Sequence, residues 1–317
     1  MAYLPFYITP DELSAYQEEQ EQQILRGKDL TTWHKHDIEE PFRYLYLSIA
    51  IAAVSPLFFL TYFLHDSSEM ILTYILSGLT IIMSGVSYLT FGLDNRYDYT
   101  LSDRGLVIKK RRNLPNWVNS ATQVMGWIGA IVCILMVAFA GPVVLVGAGG
   151  FILVSFGMLK RQPDEATEVR VGEREDWLFA DYNKKRKVIQ FYFKQDICRY
   201  RDTAHKTIFR SQDRSDCYVF FKTEADLESM VAQLSKVYKL DCTEVDDHKK
   251  LFESKPESRL FSIPVCSREY QTDEVFDLRA SNAPLPEREY LYNGKWQTES
   301  EIERLKAAGE QQATPAS

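Results

Sequence analysis

The chain has 317 residues, 26% of them charged, and a formal net charge of -7. Its basic residues are scattered or flank apolar runs, which excludes the basic patch of a nucleic-acid-binding protein. The mean hydropathy of -0.25 averages two unlike parts, because residues 44–64, 70–93, 117–140 and 142–159 contain no Asp, Glu, Lys or Arg.

Residues 1–43 read as a cytosolic N-terminal arm. An acidic polar stretch precedes the first apolar run, so no signal peptide is expected. Thr9 is placed to cap a helix with Pro10 at its first position and Asp11 and Glu12 in its first turn, ending near Arg26 and Gly27. His34 and His36 lie beside Asp37, Glu39 and Glu40, but no third ligand is specified and no metal site is expected.

A bilayer core takes roughly 20 apolar residues in a helix, and a central charge costs about 2.5–3.5 kcal/mol. The four charge-free runs therefore predict four transmembrane helices, two within 44–93 and a hairpin within 117–159, or a re-entrant pair in place of one hairpin. Lys35 and Arg43 precede the first run, Arg96 to Arg112 lie between the second and third, and Lys160 and Arg161 follow the fourth. Basic flanks stay cytosolic, which predicts a multi-pass protein of the inner membrane with both termini in the cytosol. Pro56 is expected to kink the first span. Gly78, Gly85, Gly126, Gly129, Gly147 and Gly149 suit close helix packing. The spans offer no ionisable Asp, Glu, Lys, Arg or His, so a packed anchor fits better than a transport path. Gly147 and Gly149 also resemble the start of a dinucleotide-binding turn, but Ile152 stands where the third glycine belongs.

Residues 94–116 form either a plain basic loop or a hairpin, Tyr97–Leu101 and Leu106–Lys109 flanking Ser102-Asp103-Arg104-Gly105. Residues 160–240 alternate as strands, with runs at 167–171, 177–182, 188–193, 207–210 and 218–221, the last two separated by a polar turn at 211–216. A helix follows, capped by Thr223 with Asp226 and carrying Leu227, Met230, Val231, Leu234, Val237 and Tyr238 at helical spacing. The pattern Tyr-x-Tyr-Thr-Leu-Ser-Asp-x-Gly-Leu-x-Ile at 97–108, with this strand-then-helix order, resembles bacterial membrane-tethered pleckstrin-homology-like domains. The resemblance implies an antiparallel β domain closed by one helix, with the third and fourth spans inserted into it if the 98–112 hairpin belongs to it. The predicted class is thus a membrane α+β protein.

Two basic clusters, Lys109-Lys110-Arg111-Arg112 and Lys184-Lys185-Arg186-Lys187, are candidates for contact with anionic lipid, each cation near such a surface contributing about 1 kcal/mol. The second is equally explained as a solvated hairpin tip. Residues 241–317 read as an extended tail broken by prolines, with a hairpin at Asn293-Gly294 and a last helix capped by Thr298 and Glu301. The cysteines, Cys133, Cys198, Cys217, Cys242 and Cys266, form no C-x-x-C pair and suit reduced thiols.

No hydrolase, metalloprotease, phosphate-loop or kinase motif is present, so neither an enzyme nor a cofactor is expected. The main expectation is a membrane scaffold that assembles a complex with a protein partner. Two alternatives stay open: an immunity protein neutralising a membrane-damaging toxin, and a small transporter or channel subunit.

Overall fold

A computed structural model describes residues 4–64, 70–115, 167–253 and 257–313, with scattered positions between 117 and 131. The chain divides into two compact units, one of Met1–Pro41, Tyr97–Lys109 and Val169–Ser317, the other of Phe42–Arg96 and Lys110–Glu168.

The first unit opens with helix α1 (Pro10–Leu25). The Thr9 hydroxyl accepts from the Glu12 amide at 3.2 Å, and the Glu12 carboxylate accepts from the Thr9 amide at 2.9 Å, satisfying two end donors reciprocally. Strand β1 (Thr31–Asp37) starts a four-stranded sheet ordered β1-β2-β3-β4, completed by β2 (Asn95–Ser102), β3 (Gly105–Arg112) and β4 (Glu168–Glu173). Residues 113–167 therefore lie, in sequence, between two strands that are hydrogen-bonded neighbours. The close approach at that pairing needs a glycine: a Cβ on Gly105 would stand 2.5 Å from the Gly172 carbonyl oxygen.

The second sheet has five strands, β5 (Trp177–Asn183), β6 (Val188–Tyr200), β7 (Thr207–Phe220), β8 (Cys242–Glu244) and β9 (Cys266–Gln271), ordered β8-β5-β6-β7-β9. Helix α4 (Glu224–Lys236) follows β7, with the Thr223–Asp226 capping box in place. Tyr97, Tyr99 and Ile108 from one sheet, Ile189, Phe191, Val219 and Phe220 from the other, and Leu227 and Leu234 from α4 share one buried core. The Tyr97 and Phe220 rings lie 5.2 Å apart, and the Tyr99 hydroxyl donates to Tyr218 O at 3.0 Å, tying the sheets together by both apolar and polar contact. Beyond β9 come helix α5 (Val275–Ala280), the ribbon β10 (Glu289–Tyr292) and β11 (Lys295–Thr298), and helix α6 (Glu299–Ala313).

In the second unit, helix α2 (Leu45–Leu64) runs unbroken with Pro56 inside it, followed by α3 (Met70–Ser87) and a π-helical turn at Tyr88–Gly92. The Thr61 and Thr80 hydroxyls meet at 3.0 Å, and the Ser87 hydroxyl donates to Ala50 O at 2.8 Å.

This geometry corrects the predicted class of four membrane spans beside an antiparallel β domain, and with it the multi-pass inner-membrane location. Among the described residues one helix, Leu45–Phe63, is long and apolar enough to cross a membrane; the apolar stretch Leu76–Ser87 is shorter. The regular helix of the second run, α3, ends at Ser87, and the π-helical turn Tyr88–Gly92 precedes β2. The third and fourth runs fall outside the described residues apart from scattered positions. The described strands form three sheets, and they are not purely antiparallel, since β8 pairs parallel to β5. The turn expected at 211–216 is also absent: β7 passes straight through it, paired to β6 from Val188↔Phe220 to Tyr200↔Ile208.

Candidate partner-binding surface

Five of the eight basic residues singled out in the sequence are placed among acidic or carbonyl partners of the chain itself. In the β5–β6 turn, Arg186 is nearly buried, its side chain 9% exposed against 3% for Asp37, and its guanidinium meets the Asp37 carboxylate at 2.6 Å. The same nitrogen donates to Ile38 O at 3.0 Å, and the group lies 5.3 Å from the Phe220 ring and 5.7 Å from that of Phe252. Lys184 reaches Glu228 at 3.2 Å and Glu244 at 3.6 Å, and its hydrogen bond to Glu228 raises its pKa. Lys185 is exposed and Lys187 half-buried, the latter in the left-handed region at φ 54°. Lys109 pairs with Glu21 at 2.6 Å and Lys110 with Glu168 at 4.0 Å, Arg112 donates to Leu89 O at 2.8 Å, and Arg111 is exposed. Among the described residues no atom lies within 4 Å of a Cβ built on Gly78 or Gly85. Gly126, Gly129, Gly147 and Gly149 lie outside the described residues.

The N-terminal segment is not a free arm. Phe6, Tyr7 and Ile8 are buried, and side chains of β6, β7 and β9 read their main chain. Arg210, 0% exposed, donates to Phe6 O at 3.0 Å and Pro5 O at 3.1 Å and forms an ion pair with Asp196. Gln212 donates to Leu4 O at 2.7 Å, and Asp196 accepts from Leu4 N at 3.0 Å. The Tyr270 hydroxyl donates to Ile8 O at 2.7 Å. Arg279 donates to Tyr7 O at 3.1 Å and pairs with Glu12 at 2.7 Å, which holds the Glu12 carboxyl below its ordinary pKa. Phe6, Tyr7, Ile208, Cys266, Tyr270 and Val275 thereby form a second buried cluster, joining the N-terminal segment to β7, β9 and α5.

Beside this cluster opens a cleft of about 470 Å³. Its floor comes from Leu178, Lys194 and Gln212 on the five-stranded sheet, one wall from Ser262–Cys266, and the other from Leu285 and Arg288. The walls are pinned together: Val265 and Glu289 exchange main-chain hydrogen bonds at 2.9 and 2.8 Å, and the Cys266 thiol donates to Pro286 O at 3.3 Å. Arg214 also donates to Ile263 O, fixing the first wall. Leu285 is 57% exposed between two prolines, an apolar side chain on a stiff strip of chain. The sequence reading passed over this cleft because it treated 241–317 as an extended tail. The one available sign was the recurrence of prolines at 264, 284 and 286, which stiffen wall segments as readily as they break elements.

Other clusters are structural. Arg259 pairs with Asp181 and lies 3.9 Å over the Phe179 ring, joining the 257–263 segment to β5. Among the described residues no group of three or more His, Cys, Asp or Glu side chains is arranged to hold a metal ion. His34 and His36 sit on β1 with ring centroids 6.3 Å apart.

No solved structure matches the chain. Over 119 residues it is 31% identical to a protein named Immunity protein TsiV2 from Vibrio cholerae serotype O1, a match covering 37% of this chain and 47% of that protein. The alignment thus spans about half the length of the relative. A family model described as TsiV2 immunity protein matches residues 14–256. These matches overturn the expectation of a multi-span membrane scaffold and favour the immunity alternative. With more than half of its length matched by that model, the chain belongs to the TsiV2 immunity protein family.

Proposed function

We propose that this chain is an immunity protein that protects its producer by binding a toxin, and that the toxin is one that damages membranes. The observation that carries the reading is the family match over residues 14–256. A toxin that acts on membranes is favoured by α2, whose Phe58, Phe59, Tyr62 and Phe63 are exposed apolar side chains on a helix long enough to enter a bilayer. Protection by binding is stoichiometric: the protein removes toxin from action and does not turn it over. The test is co-expression with the toxic product encoded beside this gene. Suppressed killing that scales with the amount of the chain supports the reading, and unchanged killing refutes it. Intact lipid vesicles challenged with the toxin, alone and with the purified chain, separate the finer claim. Leakage that the chain prevents supports a membrane-damaging target, and vesicles that the toxin leaves tight remove that part.

A further inference from the structure

We infer that the cleft between Ser262–Cys266 and Leu285–Arg288 is where the partner toxin docks, and that it takes an acidic segment of that toxin carrying aliphatic side chains. This deepens the proposed immunity function and rests on it.

Charge and shape carry the assignment. In a chain of net charge -7, the cleft is lined by two cations, Lys194 and Arg288, and by no carboxylate, the remaining side chains being apolar or neutral. Among the described residues Arg288 makes no hydrogen bond or ion pair, and it is exposed. Two cations in an apolar cleft that no carboxylate lines are complementary to an anionic, aliphatic partner. The volume of about 470 Å³ falls in the range that encloses a few side chains.

The walls also select the mode of contact. Pro264, Pro284 and Pro286 lack an amide N–H, so these segments offer few donors for an added β-strand. The partner's side chains, rather than its backbone, must therefore supply the contacts, with Leu285 as the exposed apolar anchor. Stiff proline-bounded walls lose little entropy on binding, which favours tight complexes. Both walls lie beyond residue 256, outside the matched family segment, while the floor lies inside it.

The experiment uses the full chain and the toxin whose killing it suppresses. Arg288→Glu and Leu285→Asp are made separately, with Lys185→Glu in the distant β5–β6 turn as control. Binding is measured by calorimetry, folding by thermal melting, and the footprint by hydrogen exchange. Each cleft variant is expected to weaken binding by at least about tenfold with the melting temperature unchanged, while the control binds as the unaltered protein does. The footprint is expected over 262–266 and 285–288. Binding unchanged by both variants, tighter binding by Arg288→Glu, or a footprint elsewhere overturns the cleft assignment and leaves the immunity reading standing. If the unaltered chain neither binds nor protects, the immunity reading itself falls.

Discussion

Replacing Arg210 by Ala removes the residue on which the N-terminal segment is threaded. Its side chain is 0% exposed, and that of Asp196, its ionic partner, only 13%. Besides that pair, the guanidinium donates to Phe6 O at 3.0 Å, Pro5 O at 3.1 Å, Ile197 O at 3.2 Å and Ser211 O at 2.8 Å. Truncation leaves the Asp196 charge buried without its partner, and breaking a buried pair in this way costs about 3–5 kcal/mol. At about 2–4 °C per kcal/mol for a sizeable domain, the thermal midpoint should fall by on the order of 10 °C. The loss should be local as well as global, because two of the bonds hold Pro5 and Phe6. Limited chymotrypsin digestion should cut at Phe6 and Tyr7 in the variant under conditions that spare the unaltered chain. A double change, Arg210→Met with Asp196→Leu, removes both charges and should recover much of the midpoint, since paired apolar replacements avoid the orphaned ion. If Arg210→Ala melts within about 1 °C of the unaltered protein and Phe6 stays protected, the account of the N-terminal segment is wrong.

Three further outcomes can be checked on the same material. Asp176 has a buried Oδ1 without a hydrogen-bond partner among the described residues, and burial, reinforced by Glu173 and Asp196 and opposed by Lys194, pushes its pKa up to about 8. An unfolded aspartate titrates near 3.9, so the folded state holds a proton that the unfolded state has released, and stability falls as pH rises from about 4 to about 8. Asp176→Asn should flatten that slope in urea midpoints taken at several pH values, and an unaltered slope would count against it. Arg186→Ala should cost about 3–5 kcal/mol by removing the cation paired with buried Asp37, and Arg186→Lys should not restore it, because a lysine lacks the flat group that lies over Phe220 and Phe252. Full recovery by Lys in urea unfolding would show that only the charge matters. Burial raises the Cys217 thiol well above its ordinary value and pushes Cys198 and Cys242 up to about 11. Native protein at pH 8 should therefore leave Cys217 unmodified by iodoacetamide while unfolded protein reacts, and labelling at the rate of a free thiol would refute its burial.

Local chemistry was legible wherever neighbouring residues satisfy one another. Thr9 with Glu12 and Thr223 with Asp226 cap their helices as their spacing predicts, because a capping box is complete within four residues. Asn293 and Gly294 turn the ribbon at φ 51° and 76°, values that an Asn-Gly pair accommodates. The segment 97–108, open in the sequence between a basic loop and a hairpin, is the hairpin of β2 and β3.

The sequence by itself thus determined caps, tight turns, alternating strands and the presence of long apolar runs, all of which are settled by contacts a few residues apart. Only the tertiary structure decided what those runs and the polar stretches between them become. Residues 211–216 carry no apolar alternation, yet they are strand because β6 pairs along them, with β9 joining at Ser211 and Gln212. Arg186 reads as a solvated turn until Asp37, some 149 residues away, meets it in the interior. Residues 4–8 read as the start of an arm until Arg210 and Tyr270 bind their carbonyls. For Arg186 and for residues 4–8 the deciding partner is distant in sequence, and a backbone or charge that finds such a partner is freed from its local preference because burial makes the alternative, an unsatisfied polar group, more costly.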